Sequence, residues 1–492
     1  MSEVKRFLKD PSLIRECGLI NGEWSKAQSG KVFEVINPAS GKILSQVPDM
    51  AAQDTEMAIE AAHAAGAAWR AKLPAARAAL LRKWYDLIVE HSDDLAAIMT
   101  LEQGKPLPQA KAEVLSGARF VEWFAEEAKR VLGDVVPPQQ PGRRVFVTKE
   151  PVGVVAAITP WNFPSSMVTR KVSPALAAGC TIVLKPAEDT PLSALALADL
   201  ACRAGIEPGV FNVVTAKKGA DIGAAITSSA LVRKVSFTGS TRVGKLIARQ
   251  CTDSVKNVSL ELGGNAPFVV FEDADLDKAV QCAVQSKFFN SGQTCICPNR
   301  FLVQEGVYET FLQRYVEAVR GSVKVGSGMD PQTTAGPLIN AGALEKIRWI
   351  VDDATGLGAR LLTGGELSQD DSLMFQPTVL ADITPAMACV DEEIFGPVAS
   401  IMSFKDEEEA IDLANRTPYG LAAYCFTGDM ERIWRLSDAL EAGMVNINEG
   451  LFTSEAMPFG GIKESGIGRE GSHYGIDEFL ELKTVTLGSL AS

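Results

Sequence analysis

From about Pro151 onward, short apolar segments alternate with helix-like segments, and this alternation constrains the fold more than any other feature of the chain. Val152–Ile158 is a continuous apolar run, as expected of a strand that is buried on both faces. Strands that alternate with helices at this spacing form a parallel, doubly wound sheet. The further strands predicted up to residue 262 are Thr181–Leu184, Val210–Val214 and Val232–Thr238, and the helices are Leu192–Cys202, Asp221–Thr227 and Thr241–Cys251.

A second series of strands and helices follows Gly264, so we predict an α/β protein with two such units. It begins with a strand at Phe268–Glu272 and a helix from Leu276, and it continues with a strand at 300–304 and a helix at 307–319. Residues 50–130 are predicted to form helices. Asp134–Gly142 is predicted to be a break that leads into a strand at Arg143–Lys149.

The composition excludes several classes of function. With 492 residues, the chain is long enough for two or three domains, and its net charge of −13 argues against nucleic acid or an anionic membrane as a main partner. No apolar stretch has the length of a membrane helix, and the first residues lack the apolar core of a signal peptide, which predicts a cytoplasmic protein. The nine cysteines follow no paired spacing, so we expect neither a disulfide framework nor a metal site.

Three segments together supply the groups that oxidise an aldehyde through a thioester. Cys295 lies in a short polar loop at 288–297, where a thiol can reach a substrate. Glu261 offers a carboxylate base, which matters because the chain has only three histidines, and Asn162 offers an amide donor. Two of these residues have a structural alternative: Glu261 could be an ion-pair partner and Asn162 a turn residue. The nearby Cys297 is expected to be a packing residue, with a redox pair between Cys295 and Cys297 as the alternative.

A dinucleotide site is indicated although the usual glycine-rich fingerprint is absent. Val235–Gly244 joins a strand to a helix through a turn of small residues, where backbone N–H groups and the helix dipole suit a pyrophosphate. Lys185 and Glu188 follow another strand and could bind ribose hydroxyls. A carboxylate there would repel the 2′-phosphate of NADP, so NAD is favoured and NADP remains possible. The alternatives are an ordinary βα connection at Val235–Gly244 and ordinary solvent-exposed charges at Lys185 and Glu188.

The chain resembles the aldehyde dehydrogenase superfamily along essentially its whole length. The motifs that carry the resemblance, in family order, are Pro160-Trp161-Asn162-Phe163-Pro164, Lys185-Pro186-Ala187-Glu188, Phe237-Thr238-Gly239-Ser240, Leu260-Glu261-Leu262-Gly263-Gly264, Gly292-Gln293-Thr294-Cys295, Glu392-Glu393-Ile394-Phe395-Gly396-Pro397 and Pro458-Phe459-Gly460-Gly461.

The resemblance implies a Rossmann-like NAD(P)-binding domain, a catalytic domain and a small β element for oligomerisation. The NAD(P)-binding domain would cover residues 1–130 and 151–262, and the catalytic domain residues 263–470. The oligomerisation element would cover residues 131–150 and 471–492. It also implies homodimers or homotetramers. Its catalytic residues match Cys295, Glu261 and Asn162. Its cofactor-binding residues match Thr159, Pro160, Trp161, Lys185, Ala187, Glu188, Phe237, Gly239, Ser240, Val243, Leu262, Glu393 and Phe395.

Within the superfamily the chain is most similar to succinate-semialdehyde dehydrogenases. In that subfamily the substrate carboxylate is held by residues matching Arg170 and Ser454 and by a second arginine, whose position here holds Phe289. Phe459 is a further candidate substrate contact. The expected reaction is therefore oxidation of succinate semialdehyde, with glutarate semialdehyde or a neutral aldehyde as alternatives. Acyl transfer to coenzyme A and a non-catalytic scaffold are the remaining hypotheses.

Overall fold

The computed structural model describes residues 4–368, 372–451 and 453–488. The strands of the first part of the chain are β1 (Gly18–Ile20), β2 (Glu23–Ser25), β3 (Val32–Ile36), β4 (Ile43–Pro48), β5 (Asp134–Val136), β6 (Arg144–Pro151), β7 (Val154–Ile158), β8 (Thr181–Lys185), β9 (Phe211–Val213), β10 (Val232–Thr238) and β11 (Asn257–Glu261). Those of the second part are β12 (Ala266–Val270), β13 (Pro298–Gln304), β14 (Arg360–Thr363), β15 (Thr378–Ala381), β16 (Val398–Phe404), β17 (Tyr419–Gly420), β18 (Ala422–Phe426), β19 (Met444–Ile447), β20 (Ile462–Lys463), β21 (Gly466–Ile467) and β22 (Leu480–Leu487).

Helices cover both faces of the large sheets. In chain order they are α1 (Ala52–Ala71), α2 (Pro74–Glu90), α3 (Ser92–Gln103), α4 (Leu107–Glu127), α5 (Ser166–Ala178), α6 (Pro191–Ala204), α7 (Ala220–Ser228), α8 (Thr241–Thr252), α9 (Leu276–Phe288), α10 (Tyr308–Ser322), α11 (Ala341–Gly356), α12 (Ala388–Asp391), α13 (Glu407–Asn415), α14 (Met430–Ala439) and α15 (Tyr474–Asp477). None of the helices in the described ranges is long and apolar enough to cross a membrane.

The first large sheet has the order β2-β1-β9-β8-β7-β10-β11-β21, and its strands from β9 to β11 run parallel. Strand β7 comes first in the parallel set, β8 and β9 follow on one side, and β10 and β11 follow on the other. The connections therefore diverge between β7 and β10, which is where doubly wound sheets bind ligands. This sheet confirms the predicted fold class. The strand β21, from beyond residue 465, pairs with β11 at its edge.

The second large sheet has the order β14-β15-β16-β13-β12-β18-β19 and is parallel except at β14. The prediction placed its first strand at Phe268–Glu272, whereas β12 begins two residues earlier, at Ala266. The reason is tertiary, because the neighbouring strand β13 begins at Pro298 and pairs with Ala266. Phe268, Val269 and Val270 are buried between the helix layers.

A small antiparallel sheet, β22-β6-β5, stands apart from the two large ones. The prediction of a break throughout Asp134–Gly142 is wrong for Asp134–Val136, because these residues pair with β6. The pairing of β6 with the C-terminal strand is confirmed for Leu480–Leu487, and residues 489–492 of the predicted element lie outside the described residues. Val135 and Leu482 are 71% and 70% exposed, so this sheet presents an apolar surface to solvent.

The beginning of α6 shows a capping arrangement that the sequence did not predict. Thr190 stands at the N-cap position, but its hydroxyl has no hydrogen-bond partner among the described residues. The buried carboxylate of Glu102 accepts from the backbone N–H groups of Leu192 and Ser193 instead, at 2.8 and 2.7 Å. The helix ends at Ala204, after which Gly205 adopts a left-handed φ of 92°.

Candidate active site

Cys295 lies in the loop between α9 and β13, after a single 3-10 turn. Three successive residues of this turn have a left-handed backbone, with φ of 51° at Asn290, 56° at Ser291 and 75° at Gly292. Residues other than glycine adopt this region only where surrounding contacts impose it. A Cβ at Gly292 would lie 2.2 Å from the carbonyl oxygen of Gly396, so only glycine fits there.

Hydrogen bonds from distant parts of the chain hold this loop. The Gln109 side chain accepts from the Asn290 backbone N–H at 2.9 Å, and Gln103 Nε2 donates to Asn290 Oδ1 at 3.1 Å. The Gln293 side chain in turn accepts from the backbone N–H of Ile339 at 2.9 Å. Sequence analysis missed both residues. Gln103 ends α3 and Gln109 lies in α4, in a stretch where helices were predicted without any functional residue.

Two adjoining cavities meet at Cys295, with volumes of about 140 and 270 Å³. Met167 also lines both of them. Burial, together with the charges of Glu393 and Glu261, raises the pKa of the Cys295 thiol to about 12, and the charge of Arg170 acts in the opposite direction. The resting thiol is therefore protonated near neutral pH. Thiolate formation requires that this proton pass to an acceptor.

Asn162 follows β7, and the cysteine loop orients its side chain. Its Nδ2 donates one N–H to the carbonyl oxygen of Gln293 at 3.1 Å. An amide carries two N–H groups, and Asn162 also lines the larger cavity, so the second N–H is available there. Its backbone carbonyl accepts from Lys105 Nζ at 2.8 Å and from Asn290 Nδ2 at 3.0 Å. The amide is consequently fixed from both sides.

Glu261 is the last residue of β11, and its carboxyl group is buried. Its Oε2 has no hydrogen-bond partner in the described part of the chain. Burial raises the pKa of Glu261 well above its ordinary value, the charge of Glu470 adds to this, and Lys171 and Arg170 act in the opposite direction. Lys171 and Glu470 form a buried ion pair at 2.5 Å. A carboxyl group with a raised pKa is suited to accept a proton near neutral pH.

Arg170 lies on α5 and lines the smaller cavity together with Cys295. Its guanidinium carbon lies 4.5 Å from the ring centre of Phe120 and 4.7 Å from that of Phe459. Among the described residues, no acceptor lies within hydrogen-bond reach of its Nε or Nη1. A buried cation with unpaired N–H groups is costly, so its position fits an anion brought by a ligand.

Aromatic rings form another wall of the smaller cavity. Phe289 stacks on Phe163 with 6.1 Å between ring centres and 17° between planes. Phe459, a predicted substrate contact, also lines the cavity. Ser454 lies beside the cavity rather than in its wall, where the structure places Thr453. Arg170, Phe289 and Phe459 are thus brought together, and Ser454 is not.

The larger cavity opens where the connections of the first sheet diverge, between the loops after β7 and β10. The predicted cofactor residues that line it are Pro160, Trp161, Gly239, Ser240, Leu262, Glu393 and Phe395. The lining residues that sequence analysis did not assign are Met167, Thr238, Gly263, Ala343, Lys346 and Ile394. Ala343 and Lys346 lie on α11, outside every motif that carries the resemblance.

The other predicted cofactor residues do not line this cavity; they are Thr159, Lys185, Ala187, Glu188, Phe237 and Val243. Lys185 Nζ forms an ion pair with Glu188 at 3.0 Å, and the Lys185 carbonyl accepts from the Thr159 N–H at 3.1 Å. Glu188 lines a separate polar cavity of about 530 Å³. The ring of Phe237 packs beneath the turn, since a Cβ at Gly239 would lie 2.6 Å from it.

The comparisons with known proteins agree with this geometry. The model of the Aldehyde dehydrogenase family matches residues 24–485. The chain belongs to the aldehyde dehydrogenase family. It is therefore an oxidoreductase, an NAD(P)-dependent aldehyde dehydrogenase.

Relatives in this family are similar over nearly their whole length. The chain is 54% identical to the succinate-semialdehyde dehydrogenase [NADP(+)] of Escherichia coli K12, with 98% of this chain and 99% of the relative covered. It is 53% identical to the glutarate-semialdehyde dehydrogenase of Pseudomonas putida, with 97% and 98% covered. The crystal structure of the succinate-semialdehyde dehydrogenase from Burkholderia pseudomallei is 54% identical, has a TM-score of 0.97, and covers 98% of this chain and 99% of that one.

The larger cavity of this aldehyde dehydrogenase has the donors that a nicotinamide dinucleotide requires. The turn at Gly239 and the N-terminus of α8 suit a pyrophosphate. Glu393 accepts from the Gly264 N–H at 3.0 Å, and burial raises its pKa to about 7. The ring of Phe395 meets Trp161 edge-on at 5.5 Å and 85°, which forms an aromatic wall. The residues present therefore fit NAD(P).

All nine cysteines of this aldehyde dehydrogenase lie in the described ranges, and all are free thiols. Cys297 is buried, and its Sγ lies 3.6 Å from the carbonyl oxygen of Lys287. A redox pair of Cys295 with Cys297 stays a prediction. Over residues 4–368, 372–451 and 453–488, no group of three or more His, Cys, Asp and Glu side chains is arranged to hold a metal ion.

Proposed function

We propose that this aldehyde dehydrogenase oxidises a semialdehyde whose other end carries a carboxylate, with succinate semialdehyde as the leading substrate. The observation that carries the proposal is Arg170, a buried cation with unpaired N–H groups in the cavity that Cys295 shares. A charge-assisted hydrogen bond to a carboxylate contributes about 1.5–3 kcal/mol. The names of the Escherichia coli and Pseudomonas putida relatives support the same substrate class.

A longer semialdehyde such as glutarate semialdehyde is the second candidate. Phe289 stands where the subfamily resemblance expects another arginine, and it stacks on Phe163 to form an apolar wall. Apolar walls favour methylene groups, since burial stabilises each by about 0.8 kcal/mol. One cation remains to hold a carboxylate. A neutral aldehyde is the candidate if Arg170 contributes nothing to substrate binding.

In the first chemical step, Cys295 releases its thiol proton to solvent, and the resulting thiolate sulfur attacks the aldehyde carbon and forms a thiohemiacetal. The oxyanion that develops is stabilised by the free Nδ2–H of Asn162 and by the backbone N–H of Cys295. Losing one such donor typically lowers the rate by about 10²–10³. The hydrogen bond from Asn162 to Gln293 supports this role, because it orients the amide before substrate arrives.

Bound NAD(P)+ would supply the acceptor for the hydride that leaves the thiohemiacetal carbon, and loss of that hydride leaves a thioester on Cys295. Gly239 and Ser240 would hold the pyrophosphate, and Glu393 would hold the nicotinamide ribose next to the ring of Phe395. NAD is proposed as the preferred form, because the Glu188 carboxylate would accept from the ribose 2′-OH and would repel a 2′-phosphate. The preference needs a direct test, since the name of the Escherichia coli relative specifies NADP(+).

In the second half of the reaction, Glu261 accepts a proton from the water that hydrolyses the thioester. Its buried carboxyl group with a raised pKa supports this role. Acyl transfer to coenzyme A is the competing outcome for the same thioester, and it would not need Glu261 as a base. We therefore propose hydrolysis.

We further propose that the exposed β22-β6-β5 sheet joins subunits in a homodimer or homotetramer. The apolar side chains of Val135 and Leu482 are largely exposed there. Open sheet edges with apolar side chains are usually covered by another chain. Light scattering of the purified protein measures the subunit number.

The deciding experiment compares initial rates of NADH formation with succinate semialdehyde, glutarate semialdehyde, butanal and pentanal. The two neutral aldehydes match the semialdehydes in carbon count, so each pair isolates the carboxylate. A strong preference for either semialdehyde supports the proposal, and equal or faster rates with butanal and pentanal overturn it. Repeating the assay with NADP+ and with coenzyme A tests the cofactor and the fate of the thioester.

A further inference from the structure

A deeply buried ion pair joins Lys105, in the loop before α4, to Glu113 on α4. The two side chains are 0% and 2% exposed. Neither residue belongs to a motif that carries the family resemblance. An ion pair of this kind rarely contributes more stability than an apolar pair of the same volume, because both charges lose their hydration. Stability alone therefore does not account for the pair.

The Lys105 side chain contacts the residue that supplies the oxyanion donor. Its Nζ donates to the backbone carbonyl of Asn162 at 2.8 Å. It also lies 4.2 Å from the ring centre of Phe163, the next residue along the chain. This hydrogen bond fixes the backbone from which the Asn162 side chain projects. Lys105 thus holds the backbone carbonyl of Asn162, while the loop of Cys295 holds its side-chain amide.

Glu113 contacts the start of the helix that carries Arg170. Its Oε1 accepts from the backbone N–H groups of Ser165 and Ser166 at 2.9 and 3.1 Å. These N–H groups have no partner within α5, since the first turn of a helix lacks preceding carbonyls. The carboxylate is also favoured there by the helix dipole. Glu113 thus holds the N-terminus of α5, one turn before Arg170.

We propose that Lys105 and Glu113 are a positioning pair, which holds the Asn162 amide and the Arg170 helix in one frame around Cys295. The pair acts through these residues and not on the reacting atoms. This inference rests on the proposed function only in taking Asn162 as the oxyanion donor. Displacements of about 1 Å in such a frame typically lower rates by about a hundredfold.

The test uses the full-length protein with three variants. Lys105→Met removes the cation and leaves the Glu113 carboxylate unpaired in the cavity wall. Lys105→Met/Glu113→Leu removes both charges, so it avoids the cost of one unpaired buried charge. Lys111→Met is the matched control, because Lys111 lies on α4, is half exposed and pairs with Asp93 at the surface.

The measurement is the rate of NADH formation in a single turnover, with enzyme in excess over aldehyde. We expect both Lys105 variants to be slower by about tenfold to a hundredfold, and the control to match the parent. A deuterium at the aldehyde carbon should slow kcat more in these variants than in the parent. The rate of Cys295 alkylation by iodoacetamide should stay within about twofold of the parent, since the thiol itself is not displaced.

A merely structural pair predicts a different pattern. The melting temperature would fall in Lys105→Met, while the folded fraction would turn over at the parent rate. A double variant that folds and forms NADH at the parent rate would overturn the proposal. Because the double variant leaves no unpaired charge, this outcome can still be tested if Lys105→Met does not fold. The comparison uses whichever aldehyde the parent oxidises faster, so a wrong substrate class does not affect it.

Discussion

Asn162 and Gln293 are joined by a hydrogen bond in which Nδ2 of Asn162 donates to the backbone carbonyl of Gln293 at 3.1 Å. Gln293 lies two residues before Cys295, so the bond links the proposed oxyanion donor to the loop that carries the proposed nucleophile. The bond therefore orients the Asn162 amide relative to the loop of Cys295. The distance in sequence is 131 residues, so only the fold brings them together.

Asn162→Ala should lower the single-turnover rate by about 10²–10³, because one oxyanion donor is lost. The measurement is NADH formation with enzyme in excess over succinate semialdehyde. Alkylation of Cys295 by iodoacetamide in the same variant is the control, and it should proceed at the parent rate. An unchanged single-turnover rate would show that another group stabilises the oxyanion.

Cys295→Ala should abolish aldehyde oxidation while leaving cofactor binding intact. The sulfur is the proposed nucleophile, whereas the residues proposed to hold NAD(P) lie mainly on other segments. Titration of NADH fluorescence measures binding, and NADH formation measures turnover. Cys202→Ala is the matched control, because that thiol is exposed on α6 and should be dispensable. Residual turnover in Cys295→Ala would refute the thioester route.

Glu261→Gln should slow thioester hydrolysis, because the amide cannot accept a proton from water. The acyl-enzyme should then accumulate and appear as an added acyl mass on the peptide that contains Cys295. The double variant Cys295→Ala/Glu261→Gln should show no such mass. Rapid multiple turnover in Glu261→Gln would indicate a different base.

The raised pKa of Cys295, about 12, predicts how alkylation by iodoacetamide depends on pH. Only the thiolate reacts, so the rate should increase about tenfold for each pH unit from about pH 7 to pH 10. The negative charge of Glu261 raises this pKa, so Glu261→Gln should shift the curve to lower pH. The positive charge of Arg170 lowers it, so Arg170→Met should shift the curve to higher pH. Shifts in the reverse directions would contradict the charge assignments.

Arg170→Met should lower kcat/KM for succinate semialdehyde by about 10- to 150-fold, which corresponds to about 1.5–3 kcal/mol. The rate with butanal should change little, because butanal has no carboxylate to bind. The reciprocal variant Phe289→Arg supplies the second cation of the subfamily and should increase the preference for the semialdehyde. Equal losses with both aldehydes in Arg170→Met would indicate that Arg170 only maintains the cavity.

The parallel strands were predictable because they are buried on both faces and therefore read as continuous apolar runs. Val232–Thr238 has the predicted bounds, and Thr181–Lys185 extends its prediction by one residue. The strand at Asp134–Val136 was missed, since all three of its residues are exposed and carry no such pattern. Its pairing with β6, and not its composition, makes it a strand.

The sequence by itself determined the fold class and the family, and it singled out Cys295, Glu261 and Asn162 as candidate catalytic residues, because local patterns and motifs carry that information. Only the tertiary structure decided how these groups are held. Lys105 meets the carbonyl of Asn162 across 57 residues of sequence, and Gln103 meets Asn290 across 187. Contacts between such distant residues leave no local period in the sequence. They form only when the end of α3 and the loop before α4 lie against the loops that follow β7 and α9.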